Sequence, residues 1–322
     1  MICCAAASPF QVYLLSTYLS SNPTKEKIIL LYRKAKNDTE IDSSMFNLLE
    51  DTGCRIIKIS SPMCLIVFSF VSFFNCFFSK FIVCDFKSIY FHILIRKLSR
   101  KNVFFLDDGA SSFYLLDLIR RDGYLPFLNG VKNLNCFKKY FFKALGVELE
   151  NLSMSGYNYY TIFNVTGEDR NKNIFPLNFT HRGNNLIVDG SYYLGGKYVD
   201  LDIIDIDDYC KSIKRALELT TGILYYIPHR NESDDILKMV SSIADISILK
   251  INKPVEMWFL TEGIHPKQIF SVYSTALFTT KKIFPDCEVY ATSIDLKKVP
   301  IIYRDNVSCV YEQFLDYKIN FV

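Results

Sequence analysis

The sequence lacks the phosphate-binding and nucleophile motifs that mark three common enzyme classes. It contains no Gly-x-x-x-x-Gly-Lys-Ser/Thr, no Gly-x-Gly-x-x-Gly and no Gly-x-Ser-x-Gly. This excludes the commonest designs of nucleotide hydrolase, dehydrogenase and esterase. There is also no Cys-x-x-Cys pair and no Cys/His spacing typical of zinc. The ten cysteines are spread irregularly over 322 residues, many in apolar runs, which indicates free thiols in a reducing cytoplasm rather than a disulfide framework.

A strong excess of charge is absent as well. The formal net charge is only +3, and without a concentrated basic face a dedicated nucleic-acid binder is excluded. The densest basic groups, at 96–101 and 132–143, are mixed with Phe, Leu and Asn. They predict solvated helix faces, with attraction to an anionic membrane surface as the alternative. Met1 to Ala7 has no basic start, so we expect no cleavable signal and a cytoplasmic location.

One uncharged apolar run, Ile59 to Ser79, is long enough to cross a bilayer. Its five serines, Asn75 and the early Pro62 argue against spanning. We therefore predict a buried or membrane-surface helix there, and a true span remains the alternative. A peripheral contact with the cytoplasmic face of the inner membrane is compatible with either a surface helix or the basic groups.

Short apolar strands alternate with helical patterns along most of the chain, which predicts α/β structure with parallel sheets covered on both faces. The length favours two domains. We predict a GT-B-like fold, in which two doubly wound Rossmann-like domains face each other across a cleft. The predicted boundaries are 1–155 for the N-terminal domain, 156–184 for an insertion and linker, and 185–300 for the C-terminal domain. Residues 301–322 form a helix and tail that we expect to cross back to the first domain.

The functional prediction depends mainly on the residues that follow one apolar strand. The run Gly222 to Ile227 leads directly into Pro228, His229 and Arg230. Open α/β sheets bind their ligands at the carboxyl ends of their strands, so His229 is a candidate ligand-binding or acid–base residue. The alternative is an ordinary histidine in a surface loop.

A second strand, Asn102 to Leu106, ends in Asp107, Asp108 and Gly109. Adjacent carboxylates at a strand end suit a general base, because one can face the substrate while the other orients it or raises its pKa. Gly109 allows the backbone to approach a ligand closely. An Asp-Gly turn without function is the alternative.

Two further hydroxyl and acidic motifs lie in the C-terminal half. Ser274 and Thr275 follow a predicted strand and open a helix, where hydroxyls and free N–H groups can bind phosphate; a plain helix cap is the alternative. Asp205-Ile206-Asp207 matches the Asp-x-Asp metal motif of nucleotide-sugar enzymes. It lies in an acidic run before a helix, however, and we predict that it complements the helix dipole.

Taken in order, these motifs resemble those of the bacterial sialyltransferases. The matching residues are Asp107-Asp108-Gly109, Tyr226-Ile227-Pro228-His229-Arg230-x-Glu232, Pro254-x-Glu256 and Ser274-Thr275-Ala276-Leu277. The opening Ser8-Pro9-x-Gln11 is similar to that of the lipooligosaccharide and capsule branch, glycosyltransferase family 52. One position departs from the pattern, because Arg230 stands where many relatives have the proline of His-Pro.

The resemblance implies an inverting transfer of sialic acid from CMP-sialic acid to a hydroxyl of a cell-surface glycan, without metal or other cofactor. It implies that Asp108 is the general base and that His229 protonates or hydrogen-bonds the departing CMP phosphate. An oxocarbenium-like transition state needs a carboxylate on one face of the sugar and leaving-group stabilisation on the other. The base then belongs to an acceptor-side N-terminal domain and the histidine to a CMP-donor-binding C-terminal domain.

The resemblance also implies supporting roles. Glu256 would accept from the ribose hydroxyls, Pro228, Ser274 and Thr275 would hold the donor, and Ser8 and Gln11 would lie on the acceptor side. Asp107, Gly109 and Arg230 would support the two catalytic residues. The expected partners are CMP-sialic acid and a lipid-linked glycan acceptor; a homodimer is left open. Two alternatives remain: a related enzyme with a different nucleotide-sugar donor, and a non-catalytic glycan-binding or assembly protein.

Overall fold

A computed structural model describes residues 1–33, 45–59, 78–85, 87–95, 98–107, 109, 111–128, 131, 134–163, 173–179 and 187–322. The chain divides into two compact units, Met1–Thr180 and His181–Val322. Each unit is built around its own parallel sheet.

The first unit contains a seven-stranded sheet of order β3-β2-β1-β4-β5-β8-β9, in which every pairing is parallel. Its strands are β1 Ile2–Ala6, β2 Ile28–Arg33, β3 Arg55–Ile59, β4 Lys80–Val83, β5 Val103–Leu106, β8 Asn158–Thr161 and β9 Ile174–Pro176. A separate antiparallel pair joins β6 Tyr124–Phe127 to β7 Glu150–Ser153. The central strands are buried and apolar, as strands covered on both faces must be.

The helices of the first unit are α1 Pro9–Ser21, α2 Ile89–Ile95, α3 Ser111–Asp122 and α4 Cys136–Ala144, with short 3₁₀ helices at Asn47–Thr52 and Arg100–Asn102. Aromatic rings fill much of the core between helices and sheet. Phe105 of β5 stacks on Tyr159 of β8 at 5.5 Å between ring centroids, and both side chains are buried. Such pairs stabilise the packing beyond their buried area.

The segment 156–184, predicted as an insertion and linker, contributes two strands to this sheet. β8 pairs in parallel with β5, and β9 pairs in parallel with β8. Both strands are short, with the sequences Asn-Tyr-Tyr-Thr and Ile-Phe-Pro. So few residues give no clear period of two, so the sequence pattern does not reveal these strands.

The second unit contains a six-stranded parallel sheet of order β12-β11-β10-β13-β14-β15. Its strands are β10 Ile187–Leu194, β11 Leu224–Ile227, β12 Ile246–Ile248, β13 Ile264–Ser271, β14 Glu288–Ala291 and β15 Asn320–Phe321. Its helices are α5 Ile206–Leu219, α6 Asp234–Ser241, α7 Val255–Glu262, α8 Thr275–Ile283 and α9 Ile301–Asp316. The chain moves outward from β10 to β12 and then from β13 to β15. The strand order therefore reverses between β10 and β13, as in a doubly wound fold.

Several tyrosines lie in the core of this unit, and their hydroxyls form hydrogen bonds that connect its elements. Tyr193 of β10 bonds Ser212 of α5 at 2.7 Å, and Tyr209 of α5 bonds Tyr226 of β11 at 2.8 Å. The rings of Tyr193 and Tyr226 stack with 5.7 Å between centroids. Because a buried hydroxyl without a partner is costly, these bonds fix helix α5 against the sheet in one register.

The segment 301–322 forms helix α9 and ends in strand β15. Val307 of α9 packs with Ile203 and Val299, and β15 pairs with β14. These buried contacts belong to the second unit, and the predicted return to the first domain stays a prediction.

Most of the apolar run 59–79 lies outside the described residues, as 60–77 are not among them. Within the described part of the chain, no helix combines the length and apolar character that crossing a membrane requires.

Candidate functional site

The candidate site lies at the carboxyl edge of the second sheet, where the strand order reverses. β10 is the central strand, with β11 on one side and β13 on the other, all parallel. The segments that follow these three strands therefore emerge at one edge. They carry Gly195 and Gly196 after β10, His229 after β11, and Ser274 after β13. This is the position at which doubly wound folds bind their ligands.

His229 is exposed, and both its backbone N–H and its ring form hydrogen bonds within the loop. Its N–H donates to Oε2 of Glu232 at 3.0 Å, and its ring Nδ1 accepts from the N–H of Asn231 at 3.2 Å. Since Nδ1 is an acceptor, the neutral ring carries its hydrogen on Nε2. Partial removal from water lowers the pKa of His229, and the positive charges of Arg230 and Lys197 lower it further. The ring is therefore neutral at pH 7, with Nε2–H as a donor.

Glu232 ties the loops after β10 and β11 together. One carboxylate oxygen accepts from the Tyr226 hydroxyl at 2.6 Å, and the other accepts from the N–H of His229. The carboxylate also accepts a backbone hydrogen bond from Gly196. Burial raises the pKa of Glu232, although these hydrogen bonds oppose the shift. The half-buried side chain acts as an anchor that fixes where His229 is presented.

Two glycines allow this close packing. A Cβ on Gly195 would lie 2.4 Å from Oε2 of Glu232 and 2.6 Å from the Tyr226 hydroxyl, and a Cβ on Gly196 would lie 2.4 Å from the Tyr198 ring. The N–H of Gly195 also donates to the carbonyl of Ile227 at 2.9 Å. Only glycine fits such an approach of backbone to side chain. Sequence reasoning missed this pair, although two consecutive glycines after an apolar strand are a visible signal.

The end of β13 is joined to the same edge by hydroxyl groups. Tyr198 donates to Oγ of Ser271 at 3.0 Å, and Ser271 donates to the carbonyl of Leu194 at 2.8 Å. Further on, Ser274 is the N-cap of α8, and its Oγ accepts from the N–H of Ala276 at 3.2 Å. A hydroxyl that accepts in this way keeps its own hydrogen to donate. The Ser274 hydroxyl can therefore cap helix α8 and donate a hydrogen bond to a ligand at the same time.

The edge as a whole favours an anionic ligand. Lys197 and Arg230 place two positive charges close enough to His229 to lower its pKa, opposed only in part by Asp200. The Nε2–H of His229 and the hydroxyl of Ser274 add neutral donors. Phosphate groups are bound by such combinations of cations and donors, commonly at strand ends that open helices.

Comparison with known proteins identifies the fold. No protein-family model matches the chain, and no curated protein matches it by sequence. Among solved structures, the chain is similar to the UDP-GlcNAc 2-epimerase of Methanocaldococcus jannaschii in complex with UDP-GlcNAc and UDP, with 12% identity, a TM-score of 0.52, and coverage of 98% of this chain and 92% of that one. Acinetobacter baumannii MurG matches with 11% identity, a TM-score of 0.44 and coverage of 100% and 84%. The E. coli heptosyltransferase WaaC with ADP matches with 10% identity, a TM-score of 0.40 and coverage of 98% of both chains.

The chain has the GT-B fold. The predicted α/β fold of two doubly wound, Rossmann-like domains is thereby confirmed. At these identities the likeness concerns the fold alone. The reversal point between β10 and β13 belongs to the C-terminal Rossmann-like domain of this GT-B fold.

Glu256, predicted as a ribose ligand, is buried in this domain. It is only 3% exposed, and its carboxylate accepts a hydrogen bond from the hydroxyl of Thr279 on α8. Burial raises the pKa of Glu256, and the bond from Thr279 opposes the shift. The carboxylate therefore joins α7 to α8 in the core. Its role toward a ribose stays a prediction.

In the N-terminal domain, the predicted base Asp108 lies outside the described residues. Its neighbour Asp107 is buried, with 2% exposed, and its Oδ2 accepts from the N–H of Ile162 at 2.6 Å. This bond joins the end of β5 to the end of β8. Gly109 has φ of 85°, a left-handed conformation that favours glycine. The predicted supporting roles of Asp107 and Gly109 are compatible with this turn and stay predictions.

Ser8 and Gln11, predicted on the acceptor side, cap helix α1. Oγ of Ser8 accepts from the N–H of Gln11 at 3.3 Å, and Oε1 of Gln11 accepts from the N–H of Ala7 at 2.6 Å. The pair resembles a capping box, which satisfies donors that the helix start leaves free. Capping accounts for both residue types, and a contact with an acceptor stays a prediction.

The Asp-x-Asp motif has the structural role that the sequence favours. Asp205 is the N-cap of α5, and its side chain accepts from the N–H of Asp208 at 2.8 Å. Among the described residues, no group of three or more His, Cys, Asp or Glu side chains is placed to hold a metal ion. The prediction that the reaction needs no metal is a matter for experiment.

Proposed function

We propose that the protein is an inverting glycosyltransferase that moves sialic acid from CMP-sialic acid to a hydroxyl of a cell-surface glycan, without a metal ion. The observation that carries the proposal is the presentation of His229, neutral and flanked by Lys197 and Arg230, at the reversal point of the second sheet. A nucleotide-sugar donor brings its phosphate to such an edge in a doubly wound domain. The sialyl donor is supported by the order of the four motifs along the sequence.

The chemistry follows from the residues at the carboxyl edge of the second sheet. As the bond between sialic acid and phosphate breaks, negative charge develops on the departing CMP. Lys197 and Arg230 offset that charge, and Nε2–H of His229 donates a hydrogen bond or its proton to a phosphate oxygen. The Ser274 hydroxyl supplies a further donor. These groups stabilise a leaving group more than a bound substrate, which is the condition for catalysis.

Asp108 is the proposed general base that accepts the proton of the attacking acceptor hydroxyl. The proposal for this residue rests on the sequence motif, since Asp108 is outside the described residues. Its neighbour supports it indirectly: Asp107 is committed to the backbone of Ile162. Of the two adjacent carboxylates, Asp108 is therefore the one proposed for the substrate.

A donor assay tests the proposal. Purified protein incubated with CMP-sialic acid and a lipooligosaccharide acceptor should release CMP at the same rate with and without EDTA. Asp108→Asn and His229→Ala should each lower the rate about 10²–10⁴-fold. A matched surface change, Lys250→Ala, should leave it unaltered. Absence of both transfer and hydrolysis, with EDTA or with added divalent metal, contradicts the sialyltransferase proposal.

A second candidate keeps glycosyl transfer but changes the donor. It is favoured by the likeness to the UDP-GlcNAc 2-epimerase, whose structure holds UDP-GlcNAc and UDP. Release of UDP from UDP-GlcNAc, with CMP-sialic acid inert, would select it. If instead Asp108→Ala and His229→Ala leave the protein's effect in cells unchanged, a non-catalytic glycan-binding role replaces both.

A further inference from the structure

Helix α4 exposes its aromatic side chains to solvent rather than to the core. Phe137 is 77% exposed and Tyr140 74%, and Phe141 is exposed beside them. The buried aromatic residue of the helix is Phe142, whose ring contacts Tyr90 at 6.1 Å between centroids. Water-soluble helices normally show the opposite pattern, with apolar residues inward and polar residues outward.

The geometry of the helix makes this arrangement a continuous face. At about 100° per residue, Phe137, Tyr140 and Phe141 project to one side, and Phe142 projects to the opposite side. The helix is well defined at its start, since Asn135 caps it by accepting from the N–H of Lys138 at 2.9 Å. The outward face is therefore a fixed aromatic ridge, and the anchoring of Phe142 keeps it outward.

Lysines border the aromatic ridge on both sides. Lys138 lies at one flank, and Lys139 and Lys143 lie at the other, as the helical spacing requires. None of the three forms an ion pair with another residue of the described ranges. The nearest acidic residues that follow, Glu148 and Glu150, come after the helix has ended. The face is thus aromatic at its centre and positive at its edges.

We propose that this face of α4 docks the protein on bilayers rich in anionic lipid. Aromatic side chains favour the interface between headgroups and acyl chains, and lysines extend their ammonium groups to the headgroups. A twofold contact with a second copy fits less well, because it would place lysine borders against each other. The inference stands independently of the proposed function, since it rests on residues remote in sequence from His229 and Asp108.

Vesicle binding by the full chain tests the aromatic ridge. We expect flotation with vesicles containing about one third phosphatidylglycerol and weak binding to pure phosphatidylcholine. Phe137→Ser/Tyr140→Ser should weaken binding about tenfold or more. The matched control is Ile301→Ser/Ile302→Ser, which removes two apolar side chains that are 79% and 75% exposed on α9. Equal binding by the ridge variant and the control overturns the proposal.

The lysine borders are tested in the same assay. Lys138→Glu/Lys143→Glu should abolish the preference for anionic vesicles, whereas Lys250→Glu/Lys267→Glu, the same charge change at exposed sites in the second unit, should keep it. Sedimentation velocity tests whether the aromatic ridge binds a second copy of the chain instead of a membrane. If the ridge variant converts a dimer to a monomer while vesicle binding is unchanged, the face binds a second copy and the membrane proposal is wrong. A unimodal monomer with impaired vesicle binding supports it.

Discussion

Replacing Gly195 by alanine should disconnect the loops that present His229. The added Cβ would lie 2.4 Å from Oε2 of Glu232 and 2.6 Å from the Tyr226 hydroxyl. Contacts that short are not tolerated, and the flexible carboxylate will give way before the buried tyrosine of the core. Glu232 then loses the hydrogen bonds that it accepts from the Tyr226 hydroxyl, the N–H of His229 and the N–H of Gly196.

The expected cost follows from those lost hydrogen bonds. Each bond to a charged acceptor contributes about 1.5–3 kcal/mol, and water can replace part of it at a half-buried loop. We therefore expect Gly195→Ala to lower the opening free energy of this region by about 2–4 kcal/mol. Glu232→Ala removes the same bonds and should cost a similar amount. In the double variant the Glu232 hydrogen bonds can be lost only once, and the remaining clash is between the Cβ and the Tyr226 hydroxyl, so the second change should add clearly less than it costs alone.

Hydrogen-exchange mass spectrometry of peptides covering β10 and β11 measures these opening free energies within one unit of the intact chain. Gly190→Ala serves as the control, because its Cβ would meet Tyr192 at 2.7 Å and not Glu232. Its cost should add to that of Glu232→Ala within about 0.5 kcal/mol. If the costs of Gly195→Ala and Glu232→Ala add in the same way, Glu232 is not the group that the absence of a Cβ at Gly195 accommodates. The conclusion that Glu232 holds the loops after β10 and β11 together is then refuted.

Three further predictions concern titration and packing in the same domain. The pKa of His229 is lowered in the folded protein, so its contribution to stability is present at neutral pH and is lost as the pH falls through that pKa. The drop in melting temperature between about pH 7 and about pH 5 should therefore be smaller in His229→Gln than in the unchanged protein. Arg230→Ala removes one of the charges responsible, so the pKa of His229 measured by NMR should rise, and an unchanged value would contradict the electrostatic cause. Thr279→Val leaves the buried carboxylate of Glu256 without its hydroxyl donor and should destabilise the domain by about 1–3 kcal/mol. Thr280→Val is the matched control: this buried hydroxyl has no hydrogen-bond partner in the described structure, so its loss should be neutral or stabilising.

The doubly wound fold was accessible from sequence because its central strands are buried on both faces. Uniform apolar runs such as Ile2–Ala6 and Leu224–Ile227 give a clear signal regardless of context. Two short strands at sheet edges were not accessible. β9 has three residues and β15 has two, and strands so short are formed by their neighbours in the sheet rather than by their own sequence.

The candidate site could be predicted at the two strand ends that the sequence pattern shows, the one before His229 and the one before Ser274. His229 follows an uninterrupted apolar run, so its position at a carboxyl edge could be read directly. The apolar pattern alone predicts a strand over Asn185 to Val188, because Asp189, Gly190 and Ser191 interrupt it, yet β10 continues to Leu194. Ser191 is accommodated because it donates to Gln268 at 2.8 Å. Placing the end of β10 too early concealed the two glycines that follow it.

The charges around His229 connect its proposed acid role to the binding of a donor. Arg230 and Lys197 lower the pKa of His229. On the proposed function, a donor phosphate at this edge would offset both charges, and the affinity of the ring for a proton would rise at the moment when a proton can assist departure. The affinity for CMP should accordingly increase as the pH falls through the pKa of His229, and this dependence should disappear in His229→Gln. Arg230, which departs from the motif that the sequence otherwise resembles, would then have two linked effects: it attracts the phosphate and keeps the histidine neutral until the phosphate arrives.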